Sequence, residues 1–142
     1  MHEELKLDNQ VCFRIYTAQR MLSQAYRPLL EPLGLTYSQY LVMLVLWEQD
    51  NLLVGELGRK LMLDSNTLTP LLQRMEKEGL IIRSRGIADG RQTLVTLTKK
   101  GLHLQEQAKE VPSCLTGCWQ NEKQATSLIA ALDSMIESLK QK

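Results

Sequence analysis

The sequence of 142 residues lacks any apolar run long enough to cross a bilayer. Its longest unbroken apolar stretch, YLVMLVLW at residues 40–47, falls well short of the roughly 18 to 20 residues that a membrane-spanning helix needs. The first residues, MHEELKLDNQ, are polar and acidic, whereas a secretory signal has a basic start and an apolar middle. We therefore expect a cytoplasmic protein with no membrane partner.

Cysteine is scarce and odd in number, since the chain contains only Cys12, Cys114 and Cys118. An odd count in a reducing compartment argues against a structural disulfide framework. No C-x-x-C pair occurs, and Cys114 and Cys118 with only His103 nearby lack a usual spacing of zinc ligands. We expect neither a metal site nor a cofactor.

Internal repeats, low-complexity tracts and linkers are also absent, and the apolar fraction of 44% is typical of a folded protein. We therefore expect a single domain over residues 1–142. The net charge of +1 conceals an uneven distribution, because residues 59–100 hold nine basic and four acidic residues, a local net charge of +5. Such a segment is a candidate site for a polyanion, although a solvated basic face would have the same composition.

Apolar residues recur at three- and four-residue steps over residues 8–30, which predicts an amphipathic helix with Asp8 as its N-cap. A second helix running to about Glu48 carries apolar side chains on nearly every side and should form the buried core. A last helix begins near Asn121. The first and last helices have wider apolar stripes than one small core needs, so we predict a homodimer, with a monomer or tetramer as the alternatives.

Two short helical patterns, at about 53–61 and 65–78, meet at a tight turn and predict a helix-turn-helix. Pro70 lies inside the second pattern, but the apolar period continues through it in register. Two β-rich segments, 80–83 and 92–98, then flank a basic hairpin tip with the sequence SRGIADGR. With a further helix up to Pro112, the predicted order is α-α-α-α-β-β-α-α: mainly α with a small β-hairpin.

A helix-turn-helix followed directly by a basic hairpin is the arrangement of a winged helix-turn-helix, which binds double-stranded DNA. Polar side chains on the second helix should contact the edges of the bases: Ser65, Asn66, Thr67, Thr69, Gln73 and Arg74. The wing arginines that should enter a narrow minor groove of the DNA are Arg83, Arg85 and Arg91. Asp89 should orient the guanidinium of Arg91.

The wing segment DGRQTLVTLTKKG, residues 89–101, resembles the D-x-R-x-x-x-V-x-L-T-x-x-G signature of the MarR family of winged-helix regulators and matches it at every defined position. Residues 63–81 are similar to that family's recognition helix, with its Thr-Leu-Thr-Pro centre. The resemblance implies a homodimer on a near-palindromic operator. The dimerisation helices would be residues 8–35 and 102–142, and the DNA-binding lobe residues 36–101.

Cys12 stands between Val11 and Phe13, and by default such a thiol is a small, inert, buried hydrophobe. A helix capped by Asp8 would instead place it near the first turn, where free N–H groups stabilise a reactive thiolate. Asp8 itself would oppose that charge, so hydroxyl donors such as nearby tyrosines would be needed. The residues alone leave both interpretations open.

Residues 9–48 resemble the OhrR-type organic hydroperoxide sensors of the MarR family. This resemblance implies that Cys12 is the peroxidatic thiol and that Tyr26 and Tyr37 of the partner subunit hydrogen-bond it. It further implies a repressor, not an enzyme, that leaves its operator when an organic hydroperoxide oxidises Cys12. The controlled gene would then encode a thiol peroxidase.

The same sensors differ in the step after oxidation, because some react with a small thiol and others form a disulfide with a C-terminal cysteine of the partner chain. By its distance from Cys12 we favour Cys118 as the resolving residue. Cys114 is the second candidate, and the two would share one face if their segment were α-helical. Simple packing of both is the alternative. Two rival functions remain: a MarR-type repressor released by a small aromatic ligand, and a thiol peroxidase.

Overall fold

A computed structural model describes residues 1–86 and 91–142, apart from the side chain of Thr116. The chain divides into two compact units, Met1–Ala108 and Lys109–Lys142. The helices of the first unit are α1 (Val11–Leu30), α2 (Tyr37–Glu48), α3 (Val54–Leu61), α4 (Ser65–Lys77), α5 (Lys99–His103) and α6 (Gln105–Ala108). Its strands are β1 (Leu52–Leu53), β2 (Ile81–Arg85) and β3 (Thr93–Leu97). The second unit contains a 3-10 helix, Pro112–Cys118, and α7 (Glu122–Lys140).

Helix α1 begins three residues later than the sequence predicts, and Asp8 is not its cap. Asp8 lies in a separate 3-10 segment, Leu7–Asn9, and the extended residue Gln10 takes the N-cap position. The side-chain amide of Gln10 donates to the carbonyl oxygens of Glu4 and Lys6, at 2.7 and 2.9 Å. These bonds curl the segment before α1 back on itself, so Asp8 does not reach the first turn of the helix.

Helix α2 forms the centre of the first unit, as predicted. It starts in a capping box, in which the Thr36 hydroxyl accepts from the amide of Gln39 and the Gln39 side chain accepts from the amide of Thr36. Val42, Met43 and Leu46 are at most 1% exposed. Among the described residues, no single helix is long and apolar enough to span a membrane.

The sheet has three antiparallel strands in the order β1-β3-β2, and the sequence predicted only the hairpin of β2 and β3. Strand β1 is two residues long, too short to show an alternating pattern. The loop before β1 is fixed to β3: Asp50 accepts a hydrogen bond from the Leu97 amide at 2.9 Å, and Asn51 accepts one from the Thr96 hydroxyl at 2.9 Å. Leu53, predicted to be helical, therefore ends a strand.

The prediction of one continuous helix from the wing to Pro112 was wrong, because the segment is divided into α5 and α6. In an uninterrupted α-helix the Gly101 carbonyl would pair with the Gln105 amide. Here that carbonyl accepts from the indole of Trp47 on α2, at 2.9 Å. With β1, this division gives the chain the order α-α-β-α-α-β-β-α-α-α.

Candidate nucleic-acid interface and redox cysteine

Helices α3 and α4 form the predicted helix-turn-helix. Met62 takes the left-handed conformation between them (φ 58°), and the Asp64 carboxylate caps α4 by accepting from the Thr67 amide at 2.8 Å. A Cβ on Gly58 would lie 2.8 Å from the Leu63 carbonyl oxygen, so the turn needs glycine there. Pro70 stands inside a continuous α4, as the apolar period predicts.

Helix α4 buries one face and presents the other to solvent. Leu68, Leu72 and Met75 are fully buried and hold the helix against the core. Of the predicted base-reading residues, Thr69 is half-buried and the others are exposed: Ser65, Asn66, Thr67, Gln73 and Arg74. The hydroxyl, amide and guanidinium groups that DNA recognition requires therefore lie on a rigid, solvent-facing helix.

The wing arginines have different surroundings. Arg85 and Arg91 are exposed, whereas Arg83 on β2 is half-buried and forms an ion pair with Glu76 of α4, with Nη2 3.0 Å from Oε1. The Arg83 amide also donates to the Glu76 carboxylate at 2.8 Å, and these hydrogen bonds lower the pKa of Glu76. The sequence did not indicate this link between α4 and β2. Asp89 lies outside the described residues.

A cleft of about 320 Å³ lies between the helix-turn-helix and the wing. Its polar lining comes from four elements: Glu56 and Arg59 of α3, Thr69 of α4, Arg83 of β2, and Arg91, Gln92 and Thr93 at the start of the second wing strand. The cleft thus places Arg59 beside residues that the sequence predicts to contact DNA. Arg59 itself was not predicted as a DNA-contact residue. The net +5 charge of residues 59–100 was the signal that could have included it.

Cys12 is the second residue of α1 and is exposed. No acidic residue stands in the first turn of α1, and the N-cap residue, Gln10, makes no side-chain bond to it. Cys12 thus lies at a helix N-terminus whose first turn carries no negative side chain.

Tyr26 and Tyr37 pack together with their ring centroids 4.8 Å apart. Tyr26 lies fourteen residues after Cys12 on the same helix, about 21 Å along its axis at 1.5 Å per residue. Tyr26 and Tyr37 of one chain are therefore too far away to hydrogen-bond its own Cys12. A hydrogen bond from this pair to Cys12 would require a second chain.

Tyr40 is the third member of this aromatic cluster. Its ring centroid lies 5.8 Å from that of Tyr26 and 6.2 Å from that of Tyr37, and the residue is only 3% exposed. Burial raises the pKa of Tyr40, and the neighbouring Tyr37 raises it further. Tyr40 is thus the buried member of the cluster, and the rings of Tyr26 and Tyr37 pack against it.

Cys114 and Cys118 both lie in the 3-10 helix Pro112–Cys118, and both are exposed. The condition for a shared face, an α-helical segment, is not met, because a 3-10 helix has three residues per turn and a spacing of four places the side chains about 120° apart. The Cys114 thiol donates to the Glu110 carbonyl at 3.3 Å. The Cys118 thiol has no hydrogen bond to any residue that the structure describes. Within the same residues, no group of three His, Cys, Asp or Glu side chains could hold a metal ion.

Comparison with known proteins gives the family. The family described as transcriptional regulator SarA/Rot matches residues 24–108. Over 141 residues the chain is 43% identical to the organic hydroperoxide resistance transcriptional regulator of Bacillus subtilis, covering 99% of this chain and 96% of that protein. The chain belongs to the SarA/MarR family of winged-helix transcriptional regulators. The resemblance read from the wing and the recognition helix is thereby confirmed.

Two solved structures of the protein AbfR match almost the whole chain. Reduced AbfR bound to DNA has a TM-score of 0.85 and 39% identity, covering 97% of both chains. The disulfide form of AbfR has a TM-score of 0.69 and 40% identity, covering 94% of this chain and 95% of that one. AbfR is a protein of Staphylococcus epidermidis. The winged-helix fold predicted from the sequence is confirmed.

Proposed function

We propose that this SarA/MarR-family regulator is a redox-sensing repressor that binds a double-stranded DNA operator and releases it when an organic hydroperoxide oxidises Cys12. One observation carries the proposal: an exposed thiol begins α1, and paired Tyr26 and Tyr37 lie near the opposite end of that helix. The similarity to a hydroperoxide resistance regulator and to AbfR in DNA-bound and disulfide forms supports it.

The active form is a homodimer. Only Leu30 of α1 and no residue of α7 is buried in the chain, while Val11, Tyr16, Leu128 and Ile129 are 52–68% exposed. Pairing the apolar faces of these helices with those of a second copy removes this surface from water. An antiparallel arrangement of the two α1 helices brings the tyrosine pair of one chain to the Cys12 of the other, which the distance along α1 requires.

The DNA-binding surface comprises the exposed side of α4 and the wing. Ser65, Asn66, Thr67, Thr69, Gln73 and Arg74 face the major groove, and Arg83, Arg85, Asp89 and Arg91 belong to the wing that follows the backbone into the minor groove. In a two-fold dimer the two α4 helices read equivalent half-sites of a near-palindromic operator.

The sensing reaction is a two-electron oxidation of sulfur. The Cys12 thiolate attacks the terminal peroxide oxygen, an S–O bond forms, the O–O bond breaks, and the alkoxide takes a proton to leave as an alcohol. Tyr26 and Tyr37 of the partner subunit hydrogen-bond the thiolate. The Cys118 thiolate of the partner subunit then attacks the sulfenic sulfur, a disulfide forms, the S–O bond breaks, and the hydroxide takes a proton to leave as water.

Operator binding measured by fluorescence anisotropy, before and after one equivalent of cumene hydroperoxide, tests the mechanism. The wild-type protein should lose the operator, whereas the Cys12→Ser variant should bind it in the reduced state with similar affinity and keep it. Release of Cys12→Ser by hydroperoxide would contradict the redox mechanism and favour a repressor that responds to a small aromatic ligand.

A thiol peroxidase is the rival from another class, although the family consists of transcriptional regulators. The sequence contains no C-x-x-C recycling unit. Without added reductant we expect each chain to consume about one equivalent of hydroperoxide and then stop, and with dithiothreitol, which reduces oxidised Cys12, to turn over only slowly. Rapid sustained turnover would make the chain an enzyme. A thiol peroxidase gene is the target that we propose for the repressor.

A further inference from the structure

The cleft between α3 and the wing has an excess of positive charge. Arg59, Arg83 and Arg91 line it, and among the residues that the structure describes Glu56 is the only acidic one in its lining. The Glu56 carboxylate is engaged, because its Oε1 accepts a hydrogen bond from the Leu53 amide at 3.0 Å. An anion in this cleft would therefore meet several guanidinium groups and one carboxylate that already has a partner.

The arginines differ in how they are paired. Arg83 is neutralised by Glu76, and Arg91 has interactions of its own. The Arg59 guanidinium forms no hydrogen bond or ion pair with any residue in the described ranges 1–86 and 91–142. Its guanidinium lies above Gly55, where a Cβ would be 3.9 Å from Nη1. A cation in a cleft without a protein partner is a suitable ligand for an anion.

We propose that the cleft is a phosphate site and that Arg59 is its principal ligand, with the Thr69 hydroxyl and Arg91 completing it. A guanidinium binds two phosphate oxygens through parallel hydrogen bonds, and a hydroxyl donates a third. The inference rests on the proposed DNA binding and adds to it a contact from the first helix of the helix-turn-helix. That helix crosses the DNA backbone in proteins of this architecture.

The position of Thr69 favours a backbone phosphate over a free anion. Thr69 belongs to the recognition helix, so an anion held beside it lies at the border between the base-reading face of α4 and the wing. A phosphate fixed there sets how deep α4 enters the major groove. Contacts of this kind fix the register of a protein on DNA without reading the sequence.

The test compares Arg59→Gln with Lys60→Gln, an exposed cation next to it on α3 that does not line the cleft. Operator affinity is measured by anisotropy over a series of salt concentrations. Arg59→Gln should weaken binding several-fold and reduce the slope of log K against log salt by about one. Lys60→Gln should leave the slope closer to that of the wild type. Matching melting curves verify that both variants fold.

A second measurement distinguishes the source of the phosphate, using pyrophosphate and the reduced protein without DNA. One outcome assigns the site to a free phosphate. In it, pyrophosphate raises the melting temperature of the wild type but not that of Arg59→Gln, and both Arg59→Gln and Lys60→Gln keep the wild-type salt slope. Wild-type slopes together with no effect of pyrophosphate would overturn the phosphate site. A wild-type protein that binds no DNA would instead contradict the proposed function, and pyrophosphate would still test the cleft.

Discussion

The carboxylate of Glu76 accepts three hydrogen bonds from a single residue, Arg83. The Arg83 amide donates at 2.8 Å, Nε at 3.2 Å and Nη2 at 3.0 Å. Glu76 belongs to the recognition helix α4 and Arg83 to the wing strand β2. This pair therefore sets the position of the wing relative to the recognition helix, and with it the geometry in which both meet DNA.

The Glu76–Arg83 pair should make stability depend on pH. The folded-state pKa of Glu76 is lowered from 4.5, so the pair stabilises the fold above that pH and its contribution is lost as pH falls through the folded-state pKa. Because Glu76 is 35% exposed, we expect Glu76→Gln to cost only about 1 kcal/mol at neutral pH. Urea unfolding at several pH values measures this.

The difference between wild type and Glu76→Gln should shrink as the pH falls below 4.5. Glu78→Gln is the control, since the Glu78 carboxylate makes no hydrogen bond with the described residues. It should change stability little at any pH. A constant difference between Glu76→Gln and wild type down to about pH 3 would show that the pair contributes nothing through its charge.

Gly101 should tolerate no side chain. A Cβ there would collide with the Leu80 carbonyl oxygen, and the Gly101 carbonyl also accepts from Trp47. We expect Gly101→Ala to lower the free energy of unfolding by about 2 kcal/mol or more, because main-chain atoms must move to admit the methyl group. Gly55→Ala, on an exposed position of α3, should be neutral or slightly stabilising. Equal stability of the two variants in thermal unfolding would refute the close approach.

The apolar face of α7 should hold the dimer together. Ile129 is 61% exposed in the single chain, and Ile129→Glu places an unpaired charge in the proposed interface. We expect the dissociation constant of the dimer to rise about 100-fold or more, a cost of about 3 kcal/mol. Analytical ultracentrifugation measures it. Ser134→Glu, on the opposite side of α7, should leave the dimer intact.

The two C-terminal cysteines should respond differently to replacement. After hydroperoxide treatment, intact-mass spectrometry of wild type and of Cys114→Ser should show two chains joined by a disulfide between Cys12 and Cys118. Cys118→Ser should stop at the sulfenic acid, which dimedone traps. A disulfide that persists in Cys118→Ser and disappears in Cys114→Ser would assign the resolving role to Cys114 instead.

The sequence by itself determined the elements whose patterns are local. The three- and four-residue apolar period predicted α1, α4 and α7, and a helix apolar on nearly every side predicted the buried α2. The Asp-x-Arg segment with its flanking β-rich runs predicted the wing and the family. The same period predicted that α4 continues through Pro70. These predictions succeeded because helix periodicity and hairpin chemistry depend on residues a few positions apart.

The tertiary structure alone decided the features that join distant segments. Strand β1 exists because it pairs with β3, and α5 ends where the Gly101 carbonyl turns to Trp47 across 54 positions of sequence. The Glu76–Arg83 link and the place of Arg59 in the cleft likewise depend on how α3, α4 and the wing pack. No local pattern encodes such contacts, because packing and hydrogen bonding between residues far apart in sequence are specified only once the core is assembled.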